Sequence, residues 1–129
     1  MKLDIQQTDH YAVITPGTAK LDSTVSPEFK SNLIVLGNAI ETGGLIMNLE
    51  HVEFADSSGL SSLLLAHRLY RDTDRVLVLC ELHPRVSKLL EISKLTGSFV
   101  IVDKLEDAIE YLSNLDTDFD DNDEEDEEI

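Results

Sequence analysis

The sequence predicts one α/β domain whose sheet is mixed but mainly parallel, with the element order ββαβαβαβα. Three observations support this prediction. The 129 residues suit a single domain. Two short strands open the chain, and apolar runs then alternate with segments of helical periodicity, as in parallel strands joined by crossover helices. The alternation stops near residue 114, so we expect a domain over residues 1–114 and a disordered acidic tail over residues 115–129.

The first half of the chain predicts a hairpin and one helix. Residues 2–7 and 11–15 have the composition of short strands, and the three residues between them suit a tight antiparallel turn. Ser26 is the predicted N-cap of the first helix, because Pro27 and an acid follow it. Apolar residues then recur at helical spacing on one stripe: Phe29, Leu33, Leu36 and Ile40. The glycines at 43–44 end this helix.

The second half repeats a strand-helix unit three times. Short apolar runs predict buried strands at residues 45–49, 75–80 and 98–102. Helices are expected from about residue 58 to residue 70, from Pro84 onward, and after Asp103, which suits the N-cap of the last helix. Cys80 ends a strand and is expected to be a small buried hydrophobe.

The charge of the chain excludes several classes of partner. The formal net charge is −16, and the ten acids of residues 116–129 leave −6 for the remainder. An acidic surface repels phosphate backbones and anionic lipids, so we expect no nucleic-acid binding. No apolar run approaches the roughly 18 residues of a membrane span, and the N-terminus lacks a signal-peptide pattern. We therefore expect a cytoplasmic protein that does not insert into the membrane.

Neither the tail nor the cysteine predicts a metal site. The tail acids at 116, 118, 120 and 127 loosely follow a calcium loop, but Asp121 stands where that loop requires glycine. A single cysteine forms no intramolecular disulfide and no metal cluster. No metal or cofactor is expected.

The segment FADSSGLSSLLLAHRL, residues 54–69, is the candidate functional site. It lacks the Gly-x-Ser-x-Gly elbow of hydrolases, and His67 lies too far along the helix to serve Ser57 as a base, so no catalytic residue is predicted. Two interpretations remain open. In one, the amides of residues 58–60 are free to favour a phosphate, Asp56 holds the loop by accepting amide hydrogen bonds, and Gly59 leaves room for a partner. In the other, Ser57 is only an N-cap and Gly59 only a packing residue.

The chain from residue 1 to about residue 114 resembles the STAS domain family, named for sulphate transporters and anti-sigma factor antagonists. Residues 45–68, LIMNLEHVEFADSSGLSSLLLAHR, resemble the family's central strand, its Asp-Ser-Ser-Gly loop and the next helix. Residues 19–29, AKLDSTVSPEF, resemble its Gly-x-Leu-Asp segment, and residues 76–95 resemble its fourth strand and third helix. Two positions depart from the pattern, because Ala19 and Lys94 stand where the family usually has glycine.

The resemblance implies a phosphoregulated, non-enzymatic binding module that acts in partner switching and transcription regulation. In anti-sigma factor antagonists, an anti-sigma factor with serine kinase activity phosphorylates the first serine of the motif and then releases the antagonist. A PP2C-type phosphatase reverses the modification. Carried over, the phosphoacceptor is Ser57, with Ser58 as second choice, and the partner-binding residues are the following: Asp22, Ser23, Thr24, Asp56, Ser58 and Gly59.

Three other functions stay open from the sequence. The chain could be a non-phosphorylated STAS subunit of a membrane lipid-transport ATPase complex, in which it would brace the ATPase by packing. It could bind a nucleotide or an anion at the same helix start. The third alternative is a serine hydrolase, which would require a base that the spacing of the histidines does not supply.

Overall fold

The computed structural model describes residues 1–115, which contain seven strands, four α-helices and one short 3-10 helix. In chain order the elements are β1 Leu3–Gln7, β2 Tyr11–Pro16, β3 Lys20–Leu21, α1 Ser26–Ala39, β4 Gly44–Asn48, β5 Phe54–Ala55, α2 Ser57–Arg71, β6 Val76–Cys80, α3 Pro84–Ile92, the 3-10 turn Thr96–Ser98, β7 Val100–Ile101, and α4 at 105–115. The predicted α/β class is confirmed. The last helix includes residue 115, the first residue assigned to the tail, and the calcium-like spacing at 116–127 lies outside the described residues.

The main sheet has five strands in the order β1-β2-β4-β6-β7. β1 is antiparallel to β2, and the other pairs are parallel. The N-terminal hairpin is therefore confirmed, as is the mixed but mainly parallel sheet. The sequence prediction missed a second, two-stranded sheet, in which β3 pairs in parallel with β5. These strands have only two residues each, too few for any periodicity to reveal them.

The two faces of the main sheet carry separate parts of the core. α1, α2 and α3 cover one face, where Ile14, Met47 and Leu79 are fully buried. α4 covers the other face through Ala108 and Leu112. The alternation of inward and outward side chains along the strands accounts for this division.

Several predicted element ends were wrong. The N-cap of α1 is Val25, not Ser26, and no side chain accepts a hydrogen bond there. β7 covers only two residues of the predicted 98–102, because a 3-10 turn occupies its start. At the start of α4, the amide of Leu105 donates to Oε2 of Glu81 at 2.8 Å, so Glu81 takes the capping role predicted for Asp103. Glycines 43 and 44 follow the helix that ends at Ala39, and the second of them opens β4.

Arg75 fixes the C-terminal end of α1 against α2. Its guanidinium donates to the carbonyl oxygens of Ile40 at 2.5 Å and Gly37 at 2.9 Å. The same group lies 4.3 Å above the ring of Tyr70, a geometry that adds a cation-π attraction. α1 and α2 are therefore tied together at the end remote from the start of α2. Among residues 1–115, no helix has the length and apolar composition needed to cross a bilayer.

Candidate functional site

Asp56 is the N-cap of α2 and organises the Asp-Ser-Ser-Gly turn. Its Oδ1 accepts the amides of Ser58 at 2.9 Å and Gly59 at 3.1 Å, and its carbonyl accepts the amide of Leu60 at 3.0 Å. The expectation that Asp56 holds the loop is confirmed. Two others were wrong: Ser57 is the first helical residue rather than the N-cap, and the amides of residues 58–60 are not free for a phosphate.

Gly59 packs against β3 instead of opening space at the surface. It is buried, and a Cβ built on it would lie 2.1 Å from the carbonyl oxygen of Leu21. That carbonyl also accepts the amide of Asp56 at 3.3 Å. The expectation that Gly59 leaves room for a partner was therefore wrong, because its missing side chain faces the interior. Gly59 instead lets the start of α2 sit directly on the end of β3.

This contact places the predicted Asp22 segment beside the start of α2. Asp22 itself organises the turn that leads into α1: Oδ1 accepts the amide of Thr24 at 3.0 Å and its hydroxyl at 2.5 Å. The carbonyl of Asp22 accepts the amide of Ser26 at 2.9 Å and its hydroxyl at 2.7 Å. The hydrogen bond from the Thr24 hydroxyl lowers the pKa of Asp22, which is ionised at neutral pH. The sequence prediction missed this turn-forming role.

Ser57 and Ser58 border different hollows at the surface of α2. Ser57 is exposed and borders an open groove of about 440 Å³, formed with Leu60, Leu64 and Arg68 on the same helix and Leu95 beyond α3. Ser58 is half-buried and borders a separate hollow of about 300 Å³, shared with Ser23, Ser26, Pro27 and Lys30. Within residues 1–115 neither serine hydroxyl makes a hydrogen bond, so both are chemically available.

The two remaining serines of the segment have structural positions. The hydroxyl of Ser62 is buried and donates to the carbonyl of Ser58 at 3.2 Å. Ser61 is half-buried and lines the groove of Ser57. Of these four serines, Ser57 alone is exposed.

Other reactive groups lie away from this turn. The ring of His67 packs edge-on against Phe99, with the centroids 5.6 Å apart. Cys80 is buried, as predicted, and burial raises the pKa of its thiol to about 12. In the part of the chain that the structure describes, no three His, Cys, Asp or Glu residues are grouped to hold a metal. A cavity of about 700 Å³ on the α4 side of the sheet, next to Asn48 and His51, contains none of the predicted site residues.

Comparison with known proteins identifies the family. The family model described as STAS domain matches residues 2–108. Because this match covers most of the chain, the protein belongs to the STAS domain family.

The relatives within this group include regulators of sigma factors. An anti-sigma F factor antagonist from Paenibacillus polymyxa is 25% identical over 116 residues, which cover 89% of this chain and 97% of that protein. The structure of the anti-sigma factor antagonist SpoIIAA in its unphosphorylated form has a TM-score of 0.73 and 22% identity, covering 88% of this chain and 97% of that one. The structure of the Bacillus cell fate determinant SpoIIAA in the phosphorylated form has a TM-score of 0.66 and 22% identity, covering 86% and 99%. Both structures share the fold of this chain.

Proposed function

We propose that this protein is an anti-sigma factor antagonist whose binding is regulated by phosphorylation of Ser57. Unmodified, it binds an anti-sigma factor with serine kinase activity and so frees a sigma factor. Phosphorylated, it releases that partner, and a PP2C-type phosphatase restores the binding form. In this proposal the protein is the substrate of an enzyme and not an enzyme itself.

One observation carries the proposal: Ser57 is the exposed first residue of α2, with an unbonded hydroxyl, directly after Asp56 and at the helix start that lies against the Asp22 segment. Asp56 is held by the amides it caps, and Asp22 is held by Thr24. The end of β3 lies against the start of α2, which brings the Asp22 segment to the serine turn. A partner that covers Ser57 would therefore also reach Ser23 and Thr24, which are exposed.

The switching mechanism follows from charge and needs no change of fold. A phosphate on Ser57 adds about −1.5 to −2 charges at neutral pH. These charges would stand beside Asp22 and Asp56, whose carboxylates are already committed to hydrogen bonds within the chain. Burying these negative charges in an interface would desolvate the phosphate and bring like charges together. Both effects raise the free energy of the complex, so the partner would dissociate.

The experiment combines phosphate mapping with binding. The protein is incubated with a kinase-fold anti-sigma factor and ATP, and the modified residue is located by mass spectrometry. Affinities are then measured for the wild type, Ser57→Ala and Ser57→Asp. We expect phosphate on Ser57, retained binding for Ser57→Ala and weakened binding for Ser57→Asp. Ser61→Asp is the matched control, because Ser61 lies one turn further along the same groove.

Two results would overturn the proposal. If Ser57 stays unmodified and the wild type does not bind the anti-sigma factor, both the phosphorylation and the binding parts of the proposal are wrong. Equal affinity for all three proteins would contradict the charge mechanism. If the protein instead co-purifies stably with a membrane lipid-transport ATPase complex, and Ser57→Ala does not change this, the protein is a non-phosphorylated subunit of that complex.

A further inference from the structure

Lys30 is an unpaired cation in the hollow that Ser58 borders. The side chain of Lys30 is half-buried on α1 and faces the same 300 Å³ space as Ser58 and Ser23. No acidic residue lines this space. Among residues 1–115 Lys30 makes no ion pair and no hydrogen bond. The hollow therefore has a positive charge with no counterion.

The neighbouring carboxylates are occupied elsewhere. Asp56 accepts the two amides of α2, and Asp22 accepts the amide and hydroxyl of Thr24. Glu28, on the same helix as Lys30, is paired with the N-terminal ammonium at 2.5 Å. The cation that acts on Asp22 is Lys20 and not Lys30. Lys30 can therefore pair with an anionic group that is added to the hollow, such as a phosphate.

The groove of Ser57, as the described residues line it, has a more distant cation. The basic residue of its groove is Arg68, which lies eleven positions further along α2, or about 16 Å at the rise of an α-helix. Among residues 1–115, the cation that lines the groove of Ser57 is thus about three helical turns from the serine. A phosphate on Ser58 would enter the hollow that Lys30 lines, because Ser58 is the residue of α2 that borders this hollow.

We propose that Ser58 is a second phosphoacceptor and that Lys30 holds the phosphoryl group of Ser58 inside the hollow between α1 and α2. The inference rests on the proposed function, since a serine kinase must act at this turn. In the transfer, the Oγ of Ser58 forms a bond to the γ-phosphorus of ATP as the bridging bond to the β-phosphate breaks. ADP leaves, and the hydroxyl proton passes to the kinase.

The two modifications would then have different consequences. Phosphate on Ser57 presents its whole charge to the partner and acts as the switch. Phosphate on Ser58 is partly neutralised by Lys30 and joins α1 to α2, so it weakens partner binding less. Adjacent serines of one motif would thereby give two graded levels of inhibition.

The test places phosphoserine at position 57 or 58 by co-translational incorporation and titrates each phosphate by ³¹P NMR. A cation within a few ångströms favours the dianion, so the second phosphate pKa should be about 0.5 unit lower at position 58 than at position 57. Lys30→Gln should remove this difference and Lys30→Arg should keep it. Lys88→Gln is the matched control, because Lys88 is an exposed lysine on α3 that does not border the hollow.

Equal phosphate pKa values at the two positions, or a difference that Lys30→Gln leaves unchanged, would overturn the proposal. Thermal unfolding of each variant verifies that it is folded, and if Lys30→Gln is not, the comparison of positions 57 and 58 in the chain with Lys30 intact still supplies the test. No anti-sigma factor enters this experiment. Failure here would leave the Ser57 switch intact, and failure of the binding experiment would leave the titration result valid.

Discussion

The close contact between α2 and β3 predicts a large penalty for adding one methyl group at Gly59. In Gly59→Ala the new Cβ would lie 2.1 Å from the carbonyl oxygen of Leu21 and 3.0 Å from its carbonyl carbon. Both are backbone atoms, which cannot rotate away as a flexible side chain would. The start of α2 or the end of β3 must therefore shift, and the hydrogen bond from the Asp56 amide to the same carbonyl weakens.

The expected loss of unfolding free energy is about 1–3 kcal/mol, and it lies toward the upper end because the clash is with backbone atoms. Overpacking of this kind costs about 1–3 kcal/mol, and a weakened hydrogen bond adds about 1 kcal/mol. The better helix propensity of alanine returns up to about 1 kcal/mol. For a domain of this size the loss corresponds to a fall in the melting temperature of roughly 10 °C.

The assay is urea unfolding of the full chain followed by circular dichroism, with Gly37→Ala as the matched control. Gly37 is also helical, but nothing lies within 4 Å of a Cβ built on it. Gly37→Ala should therefore gain about 0.5–1 kcal/mol. If Gly59→Ala were as stable as the wild type, the packing explanation of this glycine would be wrong.

Three further predictions concern the backbone, the helix cap and the buried thiol. Lys94 has φ 59°, so Lys94→Gly should relieve left-handed strain and raise the unfolding free energy by about 0.5–1 kcal/mol, whereas Lys94→Ala, which keeps the Cβ, should show no such gain in the same denaturation assay. Asp56→Ala should cost about 1–2 kcal/mol by thermal unfolding while Asp56→Asn, which retains an acceptor, should cost less; equal losses would contradict the capping role. Burial raises the pKa of the Cys80 thiol to about 12 in the folded protein, from 9.0 for a free thiol, so its contribution to stability is complete below pH 9 and is lost as the pH rises toward 12. The stability difference between wild type and Cys80→Ala should therefore shrink by about 2 kcal/mol between pH 7 and pH 10.5, and an unchanged difference would refute the shift.

The parts of the fold that the sequence predicted are those with strong periodicity. β4 and β6 are uninterrupted apolar runs, and the stripe of α1 that includes Phe29 and Leu33 faces the core as expected. The β3–β5 pair was missed because two-residue strands carry no pattern. Its existence depends on a tertiary contact, the approach of Gly59 to Leu21, that local sequence does not encode.

The candidate site was predicted in its residues but not in its geometry. The motif and the resemblance predicted Ser57, Ser58 and Asp22 as site residues, and the structure brings the segments that carry them together. The geometry of the turn depends on which residue is the N-cap of α2. That residue is Asp56 rather than Ser57, and its side chain accepts the amides of Ser58 and Gly59. Ser57 and Ser58 border different hollows because successive residues of an α-helix point about 100° apart, and Ser58 shares its hollow with Lys30 of α1. The Lys94 position carries an indirect signal: the left-handed backbone there suits the glycine that the family usually has.

In the proposed function, charge on Ser57 controls partner binding. The most direct measurement is the dissociation constant of one kinase-fold anti-sigma factor for the unmodified protein and for the same protein carrying phosphate only on Ser57, by isothermal titration calorimetry at fixed salt. Like charges forced together in an interface cost several kcal/mol, so we expect the phosphorylated form to bind about 100-fold more weakly or worse. Equal dissociation constants for the two forms would contradict the account.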